Sequence, residues 1–443
     1  MRIGFLALGG LRVADSSLLE AGMRYPALAD RARQIASLPS LGLLTLAGMT
    51  PSRFGPRLIE VPPNTEEFNL PTDCDVLAIT ALAATEKEVQ GLLQSCRDSG
   101  VISVVGGLHA TMKPEAFEGL ADSVVLGEGE PVWPILLEDL EANKLEPRYD
   151  ARLRGSFDLR KAPMPAFELL NTGVGRRFTV QTQRGCPWDC EFCAASMRLA
   201  PFQVKPVEKV IAELDRLRDL YGTDFVEFAD DNTFANRGHA KQLLDALAET
   251  NVKFFAETDL SIADDPEMLH RLRSAGCREV LIGFESPDFI PLDGIERQAN
   301  WKARRVDRAL RAVEKIQSHG IAVCGCFVLG LDGAGPESFD RVREFVEKSG
   351  LFDVQLTYLT PFPGTPLYHR LTEEGRILVA EATERYTLFD INFQPDRLSL
   401  EELETSYRKL MARLYRGDAV AERRRKYFDH LRNRIRRKRK EAA

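Results

Sequence analysis

Phe178-Thr179-Val180-Gln181-Thr182-Gln183-Arg184-Gly185-Cys186-Pro187-Trp188-Asp189-Cys190-Glu191-Phe192-Cys193 runs an apolar strand into a loop that holds three of the chain's eight cysteines at CxxxCxxC spacing. Three thiols on one polar, proline-containing loop are not placed for core packing. A structural zinc site takes four ligands, usually on two separated CxxC knuckles, and a catalytic zinc takes three. A 4Fe-4S cube has four irons, so three thiolates leave one iron open to a substrate or cofactor.

Downstream of this loop the chain alternates strand and helix, with strands near 178–181, 224–228, 253–256, 279–282, 321–327 and 352–357. Val207, Val210, Ile211, Leu214 and Leu217 recur at helical spacing, and Gly276, Gly320 and Gly350 stand where C-terminal caps belong. Six βα units are too few to close an eight-unit barrel. An open, partial barrel is expected, with its chemistry on the loops at the carboxyl ends of the strands.

Upstream, the apolar runs Arg2–Leu8, Leu58–Val61, Asp75–Thr80, Val101–Val105 and Ser123–Leu126 are joined by helical stretches at Leu41–Thr50, around Val89, Leu92 and Leu93, and at Ile135–Leu140. Five continuous apolar strands predict a parallel sheet covered on both faces, of Rossmann-like or flavodoxin-like type. Ligands of such sheets sit at the carboxyl ends of the strands. Residues 146 to 173, with Pro147, Pro163 and Pro165, have little periodicity and read as a surface linker. The last seventy or so residues read as helical, with Ser399 capping a helix start at Leu400.

Composition fits this division. A chain of 443 residues, 44% hydrophobic and 28% charged, forms two or three packed domains and is neither disordered nor a small disulfide scaffold. No apolar run has the length of a signal-peptide core or membrane span, which leads to the expectation of a soluble, cytoplasmic protein with reduced thiols. The net charge of -7 hides an asymmetry: residues 423 to 440 hold eleven Lys or Arg against one Asp, which leaves 48 basic and 65 acidic residues elsewhere.

The cysteine loop resembles the signature of the radical S-adenosylmethionine superfamily, CxxxCxFC after the first strand of a partial (βα)6 barrel. The resemblance implies that Cys186, Cys190 and Cys193 hold a 4Fe-4S cluster, with S-adenosylmethionine on the fourth iron, and Phe192 matches the aromatic residue before the last cysteine. The superfamily commonly carries Gly-Gly-Glu at the end of the next strand, as a contact to the methionyl amine. This chain has Ala229-Asp230-Asp231-Asn232, so Asp230 or Asp231 takes that place. Glu257 ends a strand where relatives often contact the ribose or carboxylate, though a solvated strand-end glutamate reads the same way. Gly283 and Glu285, in Ile282-Gly283-Phe284-Glu285-Ser286, match the Gly-x-Glu of the fifth strand, where glycine admits the adenosyl group. The Pro361-Phe362-Pro363-Gly364 turn follows the sixth strand as it does in many relatives. Cys324 and Cys326 lie on one face of an apolar strand and read as barrel packing, while Cys74, Cys96 and Cys277 read as core or surface thiols.

A Rossmann-like module ahead of such a barrel resembles the cobalamin-binding class of these enzymes. The matching residues are Pro39-Ser40-Leu41-Gly42-Leu43-Leu44, the turn Gly106-Gly107-Leu108-His109, which relatives usually write Gly-Gly-Pro-His, and Gly127-Glu128-Gly129-Glu130. The resemblance implies a cobalamin-binding domain over 1–145, a linker over 146–173, the radical barrel over 174–370 and a helical region with a basic tail over 371–443. Gly106, Gly107, Gly127 and Gly129 would let the backbone approach a large planar ligand. A nucleotide-binding reading lacks its GxGxxG, since the first strand ends only in Leu8-Gly9-Gly10. The corrinoid signature DxHxxG is absent as well, so His109 reads as structural or as a contact to the corrin edge, and cobalt is expected to have no histidine ligand from the protein.

With both cofactors the implied chemistry is radical methylation of an unactivated carbon: one S-adenosylmethionine supplies the methyl group, and another supplies the 5′-deoxyadenosyl radical that removes hydrogen. A non-methylating rearrangement, oxidation or cyclisation is the alternative, followed by a noncatalytic corrinoid or iron-sulfur carrier. Methylthiolation would need three further cluster cysteines in the first domain, which offers only Cys74 and Cys96. Expected partners are a small-molecule or lipid substrate and an electron donor such as flavodoxin or ferredoxin, with no specific nucleic acid. The basic tail, with Phe428, Leu431 and Ile435 on one helical side, reads as a solvated terminal helix, as a peripheral membrane contact or as a source of nonspecific nucleic-acid affinity.

Overall fold

The computed structural model describes residues 1–9, 12–61, 70–71, 73–171, 177–194 and 200–441, with side chains of the last helix given to Arg432, His430 excepted. Gly10, residues 172–173 of the expected linker and the Ile435 side chain lie outside the described residues.

The first sheet contains β1 (Ile3–Leu8), β2 (Arg57–Val61), β3 (Val76–Thr80), β4 (Ile102–Gly106), β5 (Ser123–Leu126) and β6 (Arg148–Asp150). They are all parallel, in the order β2-β1-β3-β4-β5-β6. Strands β1, β3, β4 and β5 are almost wholly buried because helices cover both faces, which is why each is written as a continuous apolar run. Successive strands go to opposite sides of β1, and ligands of such sheets bind at the carboxyl ends beside this switch point.

Residues 146–171 are not a surface linker. Strand β6 extends the sheet, Leu159, Phe167 and Leu170 are buried, and the Ala166 N–H donates to the Leu44 carbonyl at 2.9 Å. The scattered prolines break periodicity, but the apolar residues between them wedge between the two domains. The fit is tight at Gly48, where a Cβ would stand 2.1 Å from the Met164 carbonyl oxygen.

The second sheet is the expected open barrel. After β7 (Thr179–Val180) and a small antiparallel hairpin of β8 (Gln183–Arg184) and β9 (Gln203–Val204) come β10 (Phe225–Phe228), β11 (Lys253–Thr258), β12 (Cys277–Glu285), β13 (Ala322–Leu329) and β14 (Asp353–Tyr358). The parallel order β14-β13-β12-β11-β10-β7 follows the chain, and β7 and β14 are the two free edges. Gly276, Gly320 and Gly350 take positive φ at helix ends, as the capping pattern requires.

Helices Ser16–Met23 and Pro26–Ala36 leave the first domain and pack under the barrel. There Leu18 joins the barrel core, and the Arg31 guanidinium lies 4.9 Å from the centre of the Phe255 ring. On the other flank, Ser399 caps Leu400–Tyr415 in a reciprocal box with Glu402, and the helix buries Tyr407, Leu410, Met411 and Leu414. The final helix, Gly417–Glu441, docks through Val420 and Tyr427. Phe428 is half-exposed and meets Phe352 and Tyr427 edge-on, so of the expected apolar side it is the residue left at the rim while Tyr427 is buried. Among the described residues no helix is long and apolar enough to cross a membrane.

Candidate active site

The carboxyl ends of the barrel strands surround a cavity of about 1250 Å3. Cys186, Cys190 and Cys193 all line it, together with Phe192, Asp231, Glu257, Gly283 and Glu285. The cysteine loop leaves β8 through Gly185, at φ +77°, a conformation that only glycine adopts cheaply. It is then anchored from outside. The Glu191 N–H donates to the Ile295 carbonyl at 2.9 Å, and Arg297 grips both Asp189 oxygens at 3.0 Å. Trp188 packs at a tilt against Trp301, with 4.9 Å between ring centres, and donates its indole N–H to Asp259 at 3.0 Å. Loop geometry is therefore set before any ligand arrives.

Burial pushes the Cys186 and Cys190 thiols up to about 12, and each is raised further by the neighbouring Cys193. Three thiols that oppose one another's ionisation suit a polycationic partner, which binds them as thiolates. Among the described residues no three His, Cys, Asp or Glu side chains are grouped as a single metal ion requires. Three thiols from one loop at the cavity wall fit a 4Fe-4S cluster with one iron left open.

The two aspartates after β10 part company. Asp230 is buried and turned away, accepting from the Thr182 N–H at 2.7 Å, the Thr182 hydroxyl at 2.6 Å and the Gln183 N–H at 3.1 Å. It braces the cysteine loop and does not reach the cavity, which corrects its expected place at the cofactor; Asp231 faces the cavity instead. The surrounding cavity walls raise Asp231 above the usual carboxylate range although the residue itself is exposed.

Glu257 is not a solvated strand-end residue. Burial pushes it up to about 7, Arg31 below the barrel opposes the rise, and Asp231 and Glu227 add to it. Because the folded state holds the proton more tightly, stability falls as pH climbs from the usual 4.5 through about 7. Glu257→Gln should therefore stabilise the protein at pH 8 by about 1–3 kcal/mol, with the gain fading toward pH 5. Thermal unfolding across that range checks this, and a less stable variant at pH 8 would contradict it.

Lys302, Asp259, Asn232 and Trp301 also line the cavity and were not expected from the sequence. Asn232 and Trp188 both donate to Asp259, forming a polar floor beside Cys186. The only sequence signal for Lys302 was its place in a polar loop after the Gly-x-Glu strand. Cys324 is packed with Phe255 and Leu281 inside the barrel, whereas Cys326 faces the cavity.

The first domain holds a second cavity, of about 740 Å3, at the carboxyl ends of β3, β4 and β5. Gly106, Gly107, Gly127 and Gly129 line it with Gly42, Leu43 and Leu46 of the Leu41–Met49 helix. Gly107 has φ +97°, and a Cβ there would stand 2.6 Å from the Thr80 hydroxyl oxygen. A Cβ on Gly129 would press on Leu46 at 3.1 Å. His109 is not part of this wall. It is buried, with Nε2 against the Glu86 carboxylate at 2.5 Å and its ring edge-on to Phe117. That corrects the expected contact to a cofactor and agrees with the structural alternative.

Arg184 links the cysteine loop to the first-domain cavity. Two residues before Cys186, it lines the first-domain cavity and donates to Glu128 at 2.6 Å and Glu130 at 2.7 Å. The cysteine loop is thus tied directly to the Gly127-Glu128-Gly129-Glu130 turn.

Residues 180–346 match the Radical SAM superfamily, and residues 365–443 match a domain of unknown function, DUF4070. The chain is 26% identical over 358 residues to bacteriochlorophyllide d C-12(1)-methyltransferase of Chlorobaculum tepidum, covering 79% of this chain and 76% of that one. It is 26% identical over 408 residues to hopanoid C-2 methylase of Rhodopseudomonas palustris, covering 90% and 75%. Its fold is similar to that of the radical S-adenosylmethionine methyltransferase TsrM of Kitasatospora setae, solved with cobalamin and a [4Fe-4S] cluster bound. That likeness has a TM-score of 0.57 at 16% identity and covers 84% of this chain and 78% of TsrM. With the superfamily match spanning β7 to β13 and the cysteine triad at the barrel mouth, residues 180–346 of this chain form a radical S-adenosylmethionine domain.

Proposed function

We propose that this protein is a cobalamin-dependent radical methyltransferase that acts on an unactivated carbon of a small-molecule or lipid substrate. The observation that carries the reading is the pairing of two cavities, each at the carboxyl ends of a parallel sheet, across Arg184. On this reading a methyl group held in one is passed to a radical formed in the other.

Cys186, Cys190 and Cys193 would hold the cluster. When bound, the cluster supplies the electron that splits the sulfonium of S-adenosylmethionine, and the corrinoid supplies the methyl group. Asp231 and Glu257, which line the cavity, would take the methionyl ammonium and the ribose, and Gly283 and Glu285 would border the adenosyl group. Phe192 closes the wall next to the last cysteine. Gly106, Gly107, Gly127 and Gly129 would cradle the corrinoid. With His109 committed to Glu86, cobalt would have no imidazole from that turn. Leu281, Val328, Phe362 and Leu388 give the mouth an apolar side suited to the substrate's hydrocarbon. A flavodoxin or ferredoxin would deliver the electron in the cytoplasm, and the basic tail would bring the enzyme to a lipid surface if the substrate lies there.

The test is anaerobic reconstitution followed by iron, sulfide and cobalamin quantification and turnover with S-adenosylmethionine. The expected result is bound corrinoid, with S-adenosylhomocysteine and 5′-deoxyadenosine formed in equal amounts per methylated product. A reconstituted protein that binds the cluster but no corrinoid would end the methylation reading and leave the barrel chemistry standing.

A further inference from the structure

Among the described residues that line the barrel-mouth cavity, Lys302 carries the only positive charge, against Asp231, Glu257, Asp259 and Glu285. It lies off the strands, 18 residues before Gly320, where no periodic pattern marks it, and so is placed by packing: its Nζ stands 5.5 Å from the centre of the Trp301 ring, which in turn packs at a tilt against Trp188 of the cysteine loop. The side chain is 11% exposed, and its ammonium donates to the Gly283 carbonyl at 2.9 Å and to the Glu285 carboxylate. The backbone is shaped for this contact. Glu285 takes φ +61°, a conformation that side chains other than glycine adopt at a cost, and a Cβ on Gly283 would stand 2.3 Å from a Glu285 oxygen and 3.2 Å from Nζ.

The ammonium shares the wall of one cavity with Cys186, Cys190 and Cys193, and Trp301 joins it to Trp188 of the cysteine loop. A fixed charge so little exposed is weakly screened from its neighbours in that wall.

We propose that Lys302 is a positioning residue that sets the reduction potential of the cluster held by Cys186, Cys190 and Cys193, its ammonium stabilising the added electron. The inference rests on the cluster assignment above. One electron passes from an external low-potential donor, which is oxidised, to the cluster, which is reduced, and Lys302 keeps its proton throughout. Net charge and neighbouring hydrogen-bond donors are known levers on iron-sulfur potentials.

The experiment is a redox titration of reconstituted full-length protein without S-adenosylmethionine, followed by electron paramagnetic resonance. Lys302→Met should lower the ratio of reduced to oxidised cluster at a given potential about tenfold, a midpoint about 59 mV more negative. Lys302→Arg should stay near the wild type. Glu285→Gln, which leaves the ammonium unopposed, should move the midpoint the other way. An unchanged midpoint in Lys302→Met with full iron and sulfide content overturns the proposal. If that variant loses its cluster, Glu285→Gln decides, and an unchanged midpoint there overturns it equally. A wild-type protein with no cluster signal would instead defeat the cluster assignment itself.

Discussion

Alanine in place of Cys190 is expected to abolish S-adenosylmethionine cleavage, a loss on the order of a millionfold or more because the chemistry belongs to the cluster rather than to any side chain. The fold should survive. Cys190 is buried, but it lies outside the apolar clusters that hold the barrel, and its loop keeps the anchors from Asp189 to Arg297 and from Glu191 to Arg370. The variant should therefore keep its circular dichroism spectrum and melting behaviour after anaerobic purification while its iron content and visible absorption fall. Wild-type deoxyadenosine release from Cys190→Ala would show that the triad does not hold the catalytic cluster. Loss of the fold, read by the same spectra, would show that the thiol is structural. The same outcome is expected at Cys186 and Cys193, and no pair of the three should suffice.

The second large effect concerns Arg184. Its guanidinium bridges Glu128 and Glu130, whose side chains are both buried, and also meets Gln181 at 3.1 Å. Removing one partner of such a network leaves uncompensated charge in a dry place and typically costs about 3–5 kcal/mol. Here that penalty falls on the contact between the domains. In the reaction proposed above, Arg184→Gln should leave deoxyadenosine formation within a few-fold of wild type. Formation of S-adenosylhomocysteine, which needs the corrinoid in reach, should fall about a hundredfold, as expected for a misplacement of about 1 Å. Arg184→Lys keeps the charge but not the two-pronged geometry and should fall between them. Liquid chromatography of both products from one reaction gives the ratio directly. A parallel fall of both would mean that Arg184 supports the cysteine loop alone.

These expectations mix residues that local sequence identifies with residues that it does not. The cysteine triad is legible because all its ligands lie within eight residues, on a loop whose entry strand and glycine are local features. The parallel strands are legible for a related reason: burial on both faces demands unbroken apolar runs, and cap glycines punctuate the helices between them. Asp230 and Asp231 could not be told apart in this way. Adjacent residues at a strand end point in opposite directions, and only the position of Thr182 decides which one is consumed as a brace. His109 has a suggestive neighbourhood in the chain, yet its ring belongs to Glu86, 23 residues away.

By itself, the sequence determined that two parallel α/β units follow one another, that the second opens on a cluster-binding loop, and that glycines end β4 and follow β5 in the first. These follow from periodicity and short-range spacing, which act within a turn or a strand. Only the tertiary structure decided that residues 146–171 bind the domains together, that Arg184 ties the cysteine loop to Glu128 and Glu130, and that Lys302 is, among the described residues of the cavity wall, the one cation beside carboxylates and thiols. Each of these depends on desolvated charges or apolar groups meeting across long stretches of chain. Their energy comes from the partner, and no local pattern records who the partner is.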